Sequence, residues 1–184
     1  MKTQSYLKTL QKGSISNELE LEQAIIIERK LRLLAKENPE LAENRNQLRA
    51  IIKEYEKTNW SADSIISDKQ IQESDVAELI AEQERKFLAN RKKIIKAKLT
   101  ELDINQQDLG LILGHSKSYI SELINGINPF HLKDLIIIHK LFHFKLEDLI
   151  PTTIPQKESE KIKSSISKLN KPKLKLGKED FVLV

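Results

Sequence analysis

His139, His143 and Glu147 follow one another at intervals of four residues, the spacing that would gather three metal ligands on one face of an unbroken helix. Whether that helix is unbroken decides their chemistry. Elsewhere the chain has no cysteine, which removes thiolate ligands, disulfides and a cysteine nucleophile and fits a reducing compartment. No paired carboxylates, phosphate-cradling glycine loop or serine-centred elbow stands out, so an enzyme is not expected. A second group has recognition chemistry instead. In QQDLGLILGHSKSYISELINGINP, residues 106–129, Lys117 offers a charged donor and Ser118 a hydroxyl that can donate or accept.

The same stretch contains Gly110, Gly114 and Gly126 inside an otherwise helical pattern, although a mid-helix glycine costs about 1 kcal/mol relative to alanine. Asn105, with Asp108 three residues on, starts a short helix at Gln106. Gly114 ends it in a left-handed conformation, Ser116 caps the next helix over Lys117 to Asn125, and Gly126 closes that one. Two short helices so closely joined cross steeply, and Gly110 is expected where only a residue without a side chain lets the backbones meet. Leu109, Leu113, Ile120 and Leu123 point into the crossing. The result is a helix-turn-helix unit.

The elements around it follow from composition and periodicity. The 184 residues, 32 % charged and 5 % aromatic, suit one or two all-α domains. The start MKTQSYLKTLQKGS lacks a signal peptide's apolar core and no apolar run would span a bilayer, so a cytoplasmic location without membrane contact is expected. Residues 1–84 carry 12 basic against 16 acidic side chains, residues 85–150 carry 11 against 7, and residues 151–184 carry 8 against 4. Opposed charge suggests two kinds of partner. Leu19, Ala24, Ile27, Leu31 and Leu34, then Leu48, Ile51, Ile52, Tyr55 and Trp60 beyond Pro39, predict an antiparallel helical hairpin over residues 1–60. Residues 61–73 are expected to be a linker. A helix starting at Ser74 and Asp75 then leads into the helix-turn-helix domain, residues 74–150, with Val76, Leu79, Ile80, Phe87, Ile94, Leu99 and Leu102 as its apolar stripe and a protrusion where Glu82–Lys86 interrupts it. The basic tail, 151–184, is expected to be largely flexible, with a possible short helix through Ile162, Ile166 and Leu169 and a possible strand at the terminal FVLV.

With these residues in view, 86–150 resembles the five-helix, lambda repressor-like DNA-binding domain of Xre and Cro-type repressors, and 15–150, through EYEKTNW and SELINGINPFHLKDL, resembles HigA antitoxins. The resemblance implies a homodimer on double-stranded DNA, at a palindromic operator in its own promoter, and neutralisation of a HigB-like ribonuclease toxin. It also matches HFKLEDL to the turn before the last helix, placing His143 where the chain leaves its helix. No metal site and no cofactor is then expected. The second helix of such a unit enters the major groove, which assigns base contacts to Lys117, Ser118 and Tyr119. Tyr119 could instead stack on a sugar, reach a phosphate or pack beneath the helix. Glu122 could accept from cytosine N4, although an exposed helix glutamate is more often solvated. Gln106 and Gln107 at the first helix's start, with Asn125, Asn128 and Lys133, are expected at phosphates. The run RKKIIKAK, 91–98, could add long-range attraction through Lys92 and Lys96. A stand-alone Xre-family regulator with a helical dimerisation region is the alternative, and an adaptor that binds no DNA is a third reading.

Overall fold

The computed structural model describes residues 6–36, 38–61, 66–151, 156–169 and 171. Among these the regular elements are all helical: α1 (Tyr6–Lys12), α2 (Glu18–Leu34), α3 (Pro39–Asn59), α4 (Asp68–Glu101), α5 (Gln106–Leu113), α6 (Lys117–Asn125), α7 (Leu132–Phe142), α8 (Leu146–Leu149) and α9 (Gln156–Leu169). The all-α expectation holds, with a helical N-terminal region ahead of the five-helix unit α4 to α8. No helix of the described residues is long and apolar enough to cross a membrane.

Local chemistry sets the helix boundaries. Asn17 accepts from the Glu20 backbone N–H at 2.9 Å to start α2. Asn38 does the same for Glu40, with Pro39 in the first turn of α3, where a missing N–H costs nothing. Leu21, Ala24, Ile27 and Leu31 of α2 bury against Leu41, Leu48 and Ile52 of α3. At the far end of the pair the buried Glu18 carboxylate accepts from the Tyr55 hydroxyl at 2.8 Å and from Trp60 Nε1 at 3.2 Å. Burial and the adjacent carboxylate push the Tyr55 hydroxyl up to about 12. The short α1 has no counterpart in the apolar spacing of the sequence; Tyr6 buries its ring and accepts from Asn44 Nδ2 at 3.1 Å.

α4 departs from expectation in three ways. It begins at Asp68, because Ser67 accepts from Gln70 N–H and supplies the cap ahead of Ser74. Val76 and Leu79 are exposed; Ala77 and Ala81 are buried instead, and α2 packs on this part of α4. Small side chains allow that approach, so the longer neighbours turn outward. The helix does not protrude at Glu82–Lys86, where Glu84 accepts from Gln23 of α2 at 2.7 Å. Arg91, at the head of the basic run 91–98, is a core residue. Its guanidinium lies over the rings of Phe87 and Phe130 and donates to the Leu149 carbonyl at 3.2 Å, and desolvation lowers it to about 10.

Beyond Ile150, α9 carries Ile162, Ile166 and Leu169, so this part of the tail is helical. The strand considered for FVLV lies outside the described residues.

Candidate nucleic-acid interface

The α5 to α6 turn is built from the positions its sequence suggests. Asn105 Oδ1 accepts from the N–H groups of Gln107 and Asp108, and Asp108 returns a bond to Asn105 N at 2.8 Å, completing a capping box. Gly114 ends α5 at φ +77°. His115 N–H then reaches back to the Gly110 carbonyl at 2.8 Å. A Cβ placed on Gly110 would sit 3.0 Å from the His115 carbonyl oxygen and 3.2 Å from Ile120 Cγ2, so even a methyl group would make the crossing tighter than ordinary packing. Ser116 caps α6 by accepting from Tyr119 N–H at 3.3 Å. Leu109, Leu113, Ile120 and Leu123 join Ile95, Leu99, Leu135 and Ile138 in one buried cluster.

Two residues that sequence reasoning misses fix this turn to α7. His115 Nε2 lies 3.0 Å from the buried Asp134 carboxylate, and the same oxygen accepts from His131 N–H at 3.1 Å. The available signal is an acidic third residue of α7. Its second partner, nineteen positions back in the chain, has no local signature. At the other end of α7, His143 closes the helix at φ +55° while His139 Nδ1 bonds the Phe144 carbonyl oxygen at 2.5 Å. The chain turns between His139 and Glu147, and no group of three metal-ligating side chains occurs among the described residues.

The nine residues expected at DNA fall into two sets. Gln107, Lys117, Ser118 and Lys133 are exposed, and Gln106 is half-buried at the start of α5. Tyr119 is half-buried, packed on the core, with its ring edge-on to His115 at 5.1 Å. Glu122 is half-buried and accepts from Asn128 Nδ2 at 2.7 Å. Burial, with Glu40 nearby, raises its carboxyl above the usual range despite that bond and one from Ser118. Asn125 accepts from Lys92 Nζ at 2.6 Å and donates to the Ser121 carbonyl, so Lys92 turns toward α6. Asn128, expected to face the phosphate backbone, is buried, with 5 % of its surface exposed, and in this arrangement does not face solvent.

The N-terminal helices meet the α6 region through a few side chains. Lys30 Nζ of α2 donates to the Gly126 carbonyl at 3.2 Å. Further along the chain, Asn38 Nδ2 donates to Ser118 Oγ at 2.9 Å in the first turn of α6. Ile127 belongs to the core of the hairpin rather than to that of the domain carrying it. Seating Lys30 in a desolvated position, beside Arg91, Lys92 and Arg85, lowers its amine to about 8, with Glu84 acting in the opposite sense.

A family model described as helix-turn-helix matches residues 95–149, the segment from the last turns of α4 through α8. No curated protein and no solved structure matches the chain. The chain therefore carries an Xre-type helix-turn-helix domain over residues 95–149, a domain type that is typically non-enzymatic and that supports a DNA-binding transcriptional regulator.

Proposed function

We propose that the protein is a sequence-specific transcriptional repressor that also serves as the antitoxin of a HigA-like pair. The observation that carries the DNA half is the α5 to α6 crossing, which holds the first turn of α6 outward with Lys117 and Ser118 exposed at its tip. That turn presents donors at the depth of base edges, while Lys133 and the start of α5 face the flanking phosphates. The antitoxin half is supported by the resemblance over residues 15–150 and by an N-terminal region with its own apolar core and an excess of acidic side chains. An acidic surface suits a small basic toxin, because opposite charge speeds encounter and helps select the partner. The protein acts as a homodimer on a palindromic operator in its own promoter.

Fluorescence anisotropy of the full chain against the duplex upstream of its own coding sequence tests the DNA half. Binding tighter than to a scrambled duplex, and falling steeply with salt, is expected. Equal affinity for both contradicts sequence-specific regulation. Co-expression with the neighbouring gene's product tests the antitoxin half: rescue of growth and co-purification are expected, and lack of either leaves the stand-alone regulator as the function.

A further inference from the structure

Hydrogen bonds from the N-terminal helices reach both ends of α6. Lys30 holds the Gly126 end and Asn38 holds the Ser118 end. Between them Glu122 is half-buried beside Glu40. A duplex entering to contact Ser118 and Glu122 would collide with the α2 to α3 turn, and its phosphates would approach the Glu40 carboxylate.

We infer that the α2 to α3 turn is an intramolecular competitor for the DNA-reading face, so that specific binding requires this turn to leave α6. The inference rests on the assignment of α6 as the reading helix. The contact is suited to a switch. At its two ends it is made by single hydrogen bonds, one of them to the exposed Ser118, whereas the packing of Ile127 in the hairpin core and of α2 on α4 keeps the two parts together when the turn moves. Because the binding-competent form is a fraction of the population, apparent DNA affinity is reduced by that fraction. A ligand that prefers the exposed turn, such as a protein partner gripping α2 and α3, raises it.

The absence of native cysteine allows a clean test. In the full-length Asn38→Cys/Ser118→Cys variant, oxidation ties the turn to α6 and reduction frees it. Anisotropy is measured with the labelled duplex from upstream of the coding sequence, using the same protein before and after reductant. The oxidised form is expected to bind about tenfold more weakly or worse, with recovery on reduction, as a closed population demands. A second variant, Asn38→Ala, leaves every proposed DNA-reading residue in place and is expected to bind severalfold more tightly than the native chain. Equal affinity of the oxidised and reduced forms would overturn the inference, because a turn tied to α6 would then not obstruct the duplex. Failure of the cysteines to join would overturn it by showing that the turn does not rest on α6. If the native chain and Asn38→Ala both ignore the duplex, the DNA-reading assignment itself fails and the competition falls with it.

Discussion

The α5 to α6 crossing and the seat of the N-terminal hairpin on α6 lie side by side but are held by different physics. The crossing is a backbone contact. A Gly110 Cβ would stand 3.0 Å from a carbonyl oxygen, left-handed glycines end both helices, and the side chains beneath are fully buried. The seat is a side-chain contact, made by Lys30, Asn38 and Ile127. A packed backbone crossing has one arrangement, while the single Asn38–Ser118 hydrogen bond at the α2 to α3 turn can break with the apolar contact at Ile127 left in place. Rigidity belongs to the reading unit and adjustability to its cover.

The largest effect expected from breaking this contrast is at the crossing. Gly110→Val forces a branched side chain against the His115 carbonyl and Ile120 and is expected to cost about 3 kcal/mol, the upper range for overpacking. Thermal denaturation followed by circular dichroism reads it, and an unchanged midpoint would remove the close-approach explanation.

Next come the exposed residues that the crossing presents. Lys117→Ala is expected to lose about 1 to 3 kcal/mol of operator binding and to relax preference at one base position, while Lys133→Ala weakens all sequences alike and lowers the salt slope by about one. Matching specificity profiles for the two variants would show that α6 is not the reading helix.

The third effect probes the seat through pH. The Lys30 amine is held near 8 in the folded chain against 10.5 for an ordinary lysine, so the unfolded chain binds that proton more tightly in the interval between. Stability should therefore rise with pH from about 8 toward 10.5. The gain is expected to be on the order of 1 kcal/mol by about pH 10, and Lys30→Met should flatten it. Equal slopes for the native and variant proteins in chemical denaturation would mean that Lys30 is not buried against α6.

Legibility in the sequence follows the same division. Caps and left-handed turns are written in residues a few positions apart, so Asn105, Gly114, Ser116 and Gly126 mark α5 and α6 by residue type and spacing alone, while the end of α7 at His143 follows from the match of HFKLEDL to the family's turn. Apolar spacing likewise marks α2 and α3. Contacts between distant segments have no such period. Nothing near Asn38 announces Ser118, and nothing near His115 announces Asp134. The apolar stripe of α4 is misplaced for a related reason: Ala77 and Ala81 are buried because α2 comes close, and a hydrophobic pattern gives more weight to Val76 and Leu79, which end exposed. Asn128 and Arg91 look like surface groups by type, and only the packed chain reveals their buried partners.

Hydrogen exchange of the full chain with and without the duplex from upstream of its coding sequence tests the central claim most directly, because it reads α6 and its cover in one experiment. Bound DNA should slow exchange across the start of α5 and the first turn of α6, Lys117 to Ile120, while residues 38–41 at the start of α3 exchange faster as the turn leaves. Slower exchange at both α6 and the α2 to α3 turn, or no change at α6, would contradict an account in which α6 reads DNA only after the hairpin uncovers it.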